Sequence, residues 1–191
     1  MTRSLHTMTV VALVTLAVSN GVSAEPGHGP DYEQLRALEW LIGDWEAEWT
    51  VPAEGTNLDS YSPGATVHST FSSYWMENRN YIGIKLRDVI DDTVAYEGFE
   101  MVGVDPTSKK PIHWIFSMLG GYGTGEWSKD GDKWILSYSG ATADGTAYEG
   151  TSVMVSLDHD THTWQIRETK TNNEPTHGTP LVTFRRRPST E

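Results

Sequence analysis

The sequence predicts an all-β fold, an antiparallel up-and-down β-barrel of about 8–10 strands with one short N-terminal helix. Three observations carry this expectation. Short stretches of alternating apolar and polar residues recur from Ala65 onward at roughly 8–14 residue intervals, separated by turn-forming residues. Eight tryptophans are spread along the chain, and aromatic residues at that density favour strands. The stretch Leu38-Glu39-Trp40-Leu41-Ile42-Gly43-Asp44-Trp45 reads as a helix end, a glycine hinge and the start of a strand.

The elements follow in order. Glu25 to Pro30 is a Gly/Pro loop, and Asp31 stands where a helix cap belongs, ahead of a helix running to about Leu41. Leu35, Leu38, Leu41 and Ile42 form one apolar stripe, and Gly43 is placed to end it. Trp45, Ala47 and Trp49 then alternate with Glu46 and Glu48 as a half-buried strand. Residues 52–64 are a polar loop. Strands are expected over Val67 to Met76, Tyr81 to Val89, Thr93 to Val104, Ile112 to Met118, Tyr122 to Ser128, Trp134 to Ala141, Tyr148 to Leu157, His162 to Lys170 and Pro180 to Arg187. Asp91-Asp92, Asp105-Pro106, Gly120-Gly121, Asp130-Gly131, Asp144-Gly145 and Asn172-Asn173 supply the turns between them. Sequential hairpins build a meander, and closure removes the exposed edges that a sheet of this width would leave.

The N-terminus reads as a secretory signal over residues 1–24. Arg3 is followed by the apolar run Met8 to Val18 and the small residues Val22-Ser23-Ala24. The organisation expected is therefore signal 1–24, loop and helix start 25–37, and barrel 38–188, in a periplasmic or secreted protein. There is no cysteine, which excludes a thiol nucleophile and a thiolate metal site and leaves the core to hold without disulfides. The formal net charge of −12 disfavours nucleic acid and anionic lipid as partners, and Arg185-Arg186-Arg187 is too short a run to reverse that. No stretch after the signal has the length and apolarity of a membrane-spanning helix.

Leu38-x-Trp40-Leu41-x-Gly43-x-Trp45 resembles the opening of lipocalin-like (calycin) barrel domains. Gly103-x-Asp105-Pro106, Trp114-x-Phe116, Gly121-x-Gly123-x-Gly125-x-Trp127 and Asp160-Thr161-x-Thr163-Trp164-Gln165 are similar to a narrower, uncharacterised lipocalin-like group found beside SnoaL-like domains in exported bacterial proteins. No SnoaL-like domain fits before Leu38. The resemblance implies a barrel that binds a small molecule, and it brings no catalytic residues. Some ten-stranded barrels of the calycin group hold haem through one histidine. His68, His113 and His177 lie in or near strands, but a lone strand histidine reads first as a surface or core residue, so no cofactor is expected.

The residues expected to line a ligand cavity are Trp114, Phe116 and Met118 on one strand, Tyr96 and Glu100 on another, Tyr138, and the polar pair Gln165 and Arg167. Gly121-x-Gly123-x-Gly125 is not a dinucleotide fingerprint, because strand-type residues follow it; it reads as a bend or a close approach to the backbone. Asp158-His159-Asp160 with His162 carries metal-ligand residue types, but a hairpin tip splays them, and no metal is expected. Glu97 and Glu100 face opposite sides of a strand and cannot pair as acid and base, and no Gly-x-Ser-x-Gly elbow is present. The function expected is binding of a small, mostly apolar molecule by a monomer or weak homodimer. An enzyme using the same cavity and a solid-core interaction module are the alternatives.

Overall fold

The computed structural model describes residues 27–56 and 61–188. The expected signal segment lies outside the described residues. One helical turn, α1 (Tyr32–Leu35), runs into a 3-10 turn (Arg36–Leu41). The strands are β1 (Gly43–Thr50), β2 (Thr66–Trp75), β3 (Ile82–Ile90), β4 (Thr93–Val104), β5 (Pro111–Ser117), β6 (Tyr122–Asp130), β7 (Lys133–Ala141), β8 (Ala147–Ser156), β9 (Thr161–Thr171), β10 (Glu174–Thr176) and β11 (Val182–Arg186). Every pairing is antiparallel and each of β1 to β9 lies beside its neighbours in sequence. β11 pairs with both β9 and β1 and so closes the barrel. The last stave is split. β10 pairs with Thr169–Thr171 and β11 with Thr161–Trp164 of the same strand, and the chain crosses between them at residues 177–181.

The helical segment is tighter than the single α-helix the apolar stripe suggests. Leu35, Leu38 and Leu41 recur every third residue, which is the repeat of a 3-10 helix, and the Ile42 N–H accordingly donates to the Glu39 carbonyl at 3.0 Å. All three leucines are buried and close one end of the barrel. This lid is tied to the β2–β3 turn, where Gly29 N–H donates to the Asn78 carbonyl and Asp31 N–H to Asn80 Oδ1.

Gly43 makes the hinge between lid and barrel. Its φ of 137° lies in the region that disfavours side chains, and a Cβ there would sit 2.0 Å from Arg186 Nη1. Arg186 cannot easily move aside. Its guanidinium donates to the Ile42 carbonyl at 2.6 Å and the His159 carbonyl at 3.0 Å, and it stands 4.1 Å over the Trp45 ring. The C-terminal strand thereby clamps the lid. Gly43→Ala should cost roughly 1–3 kcal/mol through backbone strain, before any loss of the clamp. Urea denaturation should show a lower midpoint at unchanged slope. An unshifted midpoint would mean that the hinge tolerates a side chain.

β9 carries one irregularity that matters for the interior. Glu149 pairs with Lys170 and Thr151 with Arg167, so Glu168 and Thr169 together stand opposite Gly150. Glu168 has a φ of 46°, the left-handed conformation such a bulge uses. The bulge shifts the alternation by one residue and brings Thr171 onto the inner face with Trp164 and Ile166.

Candidate functional site

The barrel is hollow. A cavity of about 530 Å³ runs from Leu41 beneath it to the turns at the opposite end, Leu119–Tyr122 and Ala141–Asp144. Leu119 and Tyr122 are largely exposed and form an apolar rim there. The walls are mainly aliphatic and aromatic, with Phe71, Ile84, Leu86, Ile115, Trp127, Leu136, Met154 and Trp164 among them.

Glycines shape this space. A Cβ on Gly123 or on Gly140 would each come within 2.6 Å of the Tyr148 hydroxyl, one on Gly150 within 2.7 Å of the Tyr138 hydroxyl, and one on Gly98 within 2.7 Å of the Tyr96 hydroxyl. The three tyrosine rings therefore lie over positions that have no side chain. They stay close to the wall and leave the lumen open. The Gly121-x-Gly123-x-Gly125 run is thus, at Gly123, a close approach of a side chain to the backbone.

A polar cluster interrupts the apolar wall. Asp88 ends the inward series Ile82, Ile84, Leu86 on β3 and stands directly across from Tyr96 of β4. Its Oδ2 accepts a hydrogen bond from the Tyr61 hydroxyl, while Oδ1 makes no well-aligned hydrogen bond among the described residues, although the Ser69 hydroxyl of β2 stands beside the carboxyl. Burial pushes the Asp88 carboxyl above its ordinary pKa, a rise that the Ser69 and Tyr61 hydroxyls oppose and the nearby Glu100 charge adds to. Burial likewise raises the Tyr61, Tyr96 and Tyr148 phenols, so all three remain protonated donors at neutral pH. Deeper in the barrel, His113 Nε2 lies 2.9 Å from Glu100 Oε2. No aligned hydrogen bond joins them, so the contact is one of proximity rather than a directed N–H···O bond. The His113 ring stacks on Trp127 at a centroid separation of 5.7 Å.

His162 sits at the closed end, fully buried in an aromatic box. Its ring lies parallel to Phe184 at 5.2 Å, edge-on to Trp45 at 4.4 Å, and near Phe71 at 5.5 Å. Burial, assisted by the Arg186 charge, pushes its pKa down to about 3, so the ring is neutral at physiological pH. Neither ring nitrogen has a hydrogen-bond partner among the described residues.

Of the residues expected from sequence, Tyr96, Glu100 and Tyr138 line the cavity together. Trp114, Phe116 and Met118 do not; β5 presents His113, Ile115 and Ser117 inward instead. The face of β5 that turns inward is the more polar of the two, and its outer face is used by a surface cluster in which Trp114 and Tyr81 cover Gly103. Phe116 and Met118 are exposed. Gln165 and Arg167 are also outside the cavity. Trp164 and Ile166 take the inner positions of β9, leaving Arg167 Nε to donate to Gln165 Oε1 at 2.7 Å and Gln165 Nε2 to donate to the Thr179 carbonyl. His68 stands on the outer face 3.3 Å from Glu48, and His177 is exposed. Asp158, His159 and Asp160 form an exposed turn, from which the buried His162 is turned away, so these four side chains do not converge.

The residues that sequence reading missed are Asp88, Tyr61, Tyr148 and Ser152, and His113, weighed there only as a haem-type histidine, was not expected in the cavity wall. Asp88 had a visible signal: it is an acid on the face shared by Ile82, Ile84 and Leu86. His113 had another. Cross-strand partners share a face, and Val102, inward with Glu100, pairs with His113.

Fold and interior together define a closed antiparallel barrel around a mostly apolar cavity with a buried polar cluster. No protein-family model matches the chain, and no curated protein does. A solved structure, the crystal structure of Rv2717c from M. tuberculosis, is similar in fold, with a TM-score of 0.57 and 13% sequence identity, covering 84% of this chain and 99% of that one. At that identity the likeness concerns the fold alone.

Proposed function

We propose that the protein is an exported lipocalin-like barrel that binds a small, mostly apolar molecule in its interior. The observation that carries this reading is the cavity, about 530 Å³ of largely apolar space reached past an apolar rim. That volume falls in the range that ligand pockets occupy. Assignment to the calycin type is supported by the meander topology and by the lid, Gly43 hinge and Trp45 opening. Export to the periplasm or beyond is supported by the sequence of residues 1–24. Among the described residues no helix is long and apolar enough to cross a membrane.

The test uses N-phenyl-1-naphthylamine, a neutral apolar fluorophore whose emission rises in dry surroundings. Titration should saturate at one probe per chain. Ile115→Trp, which fills the lumen from β5, should weaken binding by about tenfold or more, equivalent to about 1.4 kcal/mol. The outward Phe116→Ala should leave it unchanged. Absence of saturable binding to the natural protein would overturn the reading.

The buried Glu100–His113 contact favours a second reading, an enzyme acting on a small hydrophobic substrate in the same cavity. A molecule found retained by native mass spectrometry would then change mass on incubation with the protein, and Glu100→Gln would abolish the change. A molecule returned unaltered contradicts catalysis.

A further inference from the structure

We propose that the ligand carries a basic amine at one end of an apolar body, and that its ammonium group is held at Asp88, with Glu100 deeper in the lumen adding negative charge to the same space. This deepens the interior-binding reading and rests on it.

Two carboxyl-bearing side chains face the lumen from the adjacent strands β3 and β4, and no lysine or arginine among the described residues lines it. The nearest cation beneath the cavity, Arg186, is occupied by the Ile42 and His159 carbonyls and by Asp160 at 3.3 Å. The other titratable groups facing Asp88 and Glu100 are His113, on Glu100, and the phenols of Tyr61, Tyr96 and Tyr148. Asp144 stands at the mouth as well, so a carboxylate ligand such as a fatty acid would join three acids with no lysine or arginine to receive it.

The second observation is an unmet need. Asp88 is 7% exposed, and among the described residues its Oδ1 makes no well-aligned hydrogen bond, the Ser69 hydroxyl across the β2–β3 pair being a neutral donor beside the carboxyl. The Ser152 hydroxyl, also lining the cavity, makes none among them either. Buried polar atoms are normally satisfied, and an acceptor left open calls for a donor from the occupant. A neutral apolar molecule offers none. An ammonium carries three donors and the compensating charge. The surrounding rings suit it as well, since the faces of Tyr96, Tyr148 and Trp127 attract cations once water is removed.

The experiment displaces bound N-phenyl-1-naphthylamine at pH 7 with three probes of one chain length, decylamine, decanol and decanoate. The expected order is amine first, at concentrations at least about tenfold below the alcohol, with the carboxylate weakest. In the Asp88→Asn/Glu100→Gln double variant, and in part in either single variant, the amine and alcohol should draw level. If the fluorophore binds but the alcohol or the carboxylate displaces it as well as the amine does, the amine assignment falls while interior binding stands. If the amine preference survives in a double variant that still binds the fluorophore, it arises from the acidic surface and the assignment is overturned. If the fluorophore does not bind the natural protein, the interior-binding reading fails and takes this one with it. Should the double variant not fold, the single variants decide: a reduced amine preference in Asp88→Asn supports the assignment, and a full preference retained in both overturns it.

Discussion

Trp45→Ala should lower the stability of the barrel by about 3–5 kcal/mol, the usual cost of removing a fully buried indole. Trp45 is 1% exposed and stands where the lid, the first strand and the C-terminal strand meet. Its Nε1 donates to the Leu41 carbonyl at 2.8 Å, which holds the lid onto the strand. Its ring supports the Arg186 guanidinium on one side and the His162 edge on another. Alanine would therefore open a void, strip a hydrogen bond from the lid and leave Arg186 without its platform. Against a total stability on the order of 5–15 kcal/mol this is a large fraction. The midpoint of thermal unfolding should fall by roughly 10 °C. Phe116→Ala on the outer face of β5 should cost about 0.5 kcal/mol or less. Equal losses from the two would contradict a closed end packed around Trp45.

The second large effect is an acid sensitivity located at His162. In the unfolded chain this imidazole takes up a proton near pH 6.5, whereas in the barrel it resists protonation down to about pH 3. Between those values the unfolded chain binds more protons than the folded one, so stability falls as pH falls through 6.5. The loss grows by about 1.4 kcal/mol per pH unit and reaches roughly 3 kcal/mol by pH 4. Asp88 acts with the opposite sign. Its raised pKa means that the folded state takes up the proton first, which offsets part of the loss in the natural protein. His162→Phe keeps a ring against Phe184 and Trp45 and removes the titration. The stability difference between the variant and the natural protein should therefore widen in favour of phenylalanine from pH 7 to pH 4, and Asp88, present in both, cancels. Parallel pH profiles would show that His162 is not buried as a neutral ring.

The barrel could be read from the sequence because each of its signals is local. Alternation marks strands, Asp-Gly, Asp-Asp and Asn-Asn pairs mark turns, and a meander needs only neighbours to pair with neighbours. Asn172 and Asn173, with φ of 50° and 67°, form such a turn between β9 and β10. The interior was less legible, because facing is decided by register across strands rather than along one. On β5 the choice between Trp114-Phe116 and His113-Ile115 depends on how that strand pairs with β4, and bulky aromatics suited the outer surface there. On β9 the bulge at Glu168 reverses the alternation after Ile166, and no residue preference announces a glutamate in a left-handed conformation. The open lumen depends in large part on Tyr138 and Tyr148 lying over glycines of neighbouring strands. Tyr148 over Gly123 and Gly140 is a match between three strands that no local pattern contains.

Binding in the barrel interior is tested most directly with the methionine methyl groups as reporters on its two faces. Met154 lines the cavity from β8, while Met118 is exposed beyond the end of β5. With carbon-13-labelled methionine methyls, titration with N-phenyl-1-naphthylamine should shift the Met154 resonance saturably, at the midpoint read from fluorescence, and leave Met118 in place. A shift of Met118 with Met154 unmoved would put the ligand on the outer surface and contradict binding in the interior.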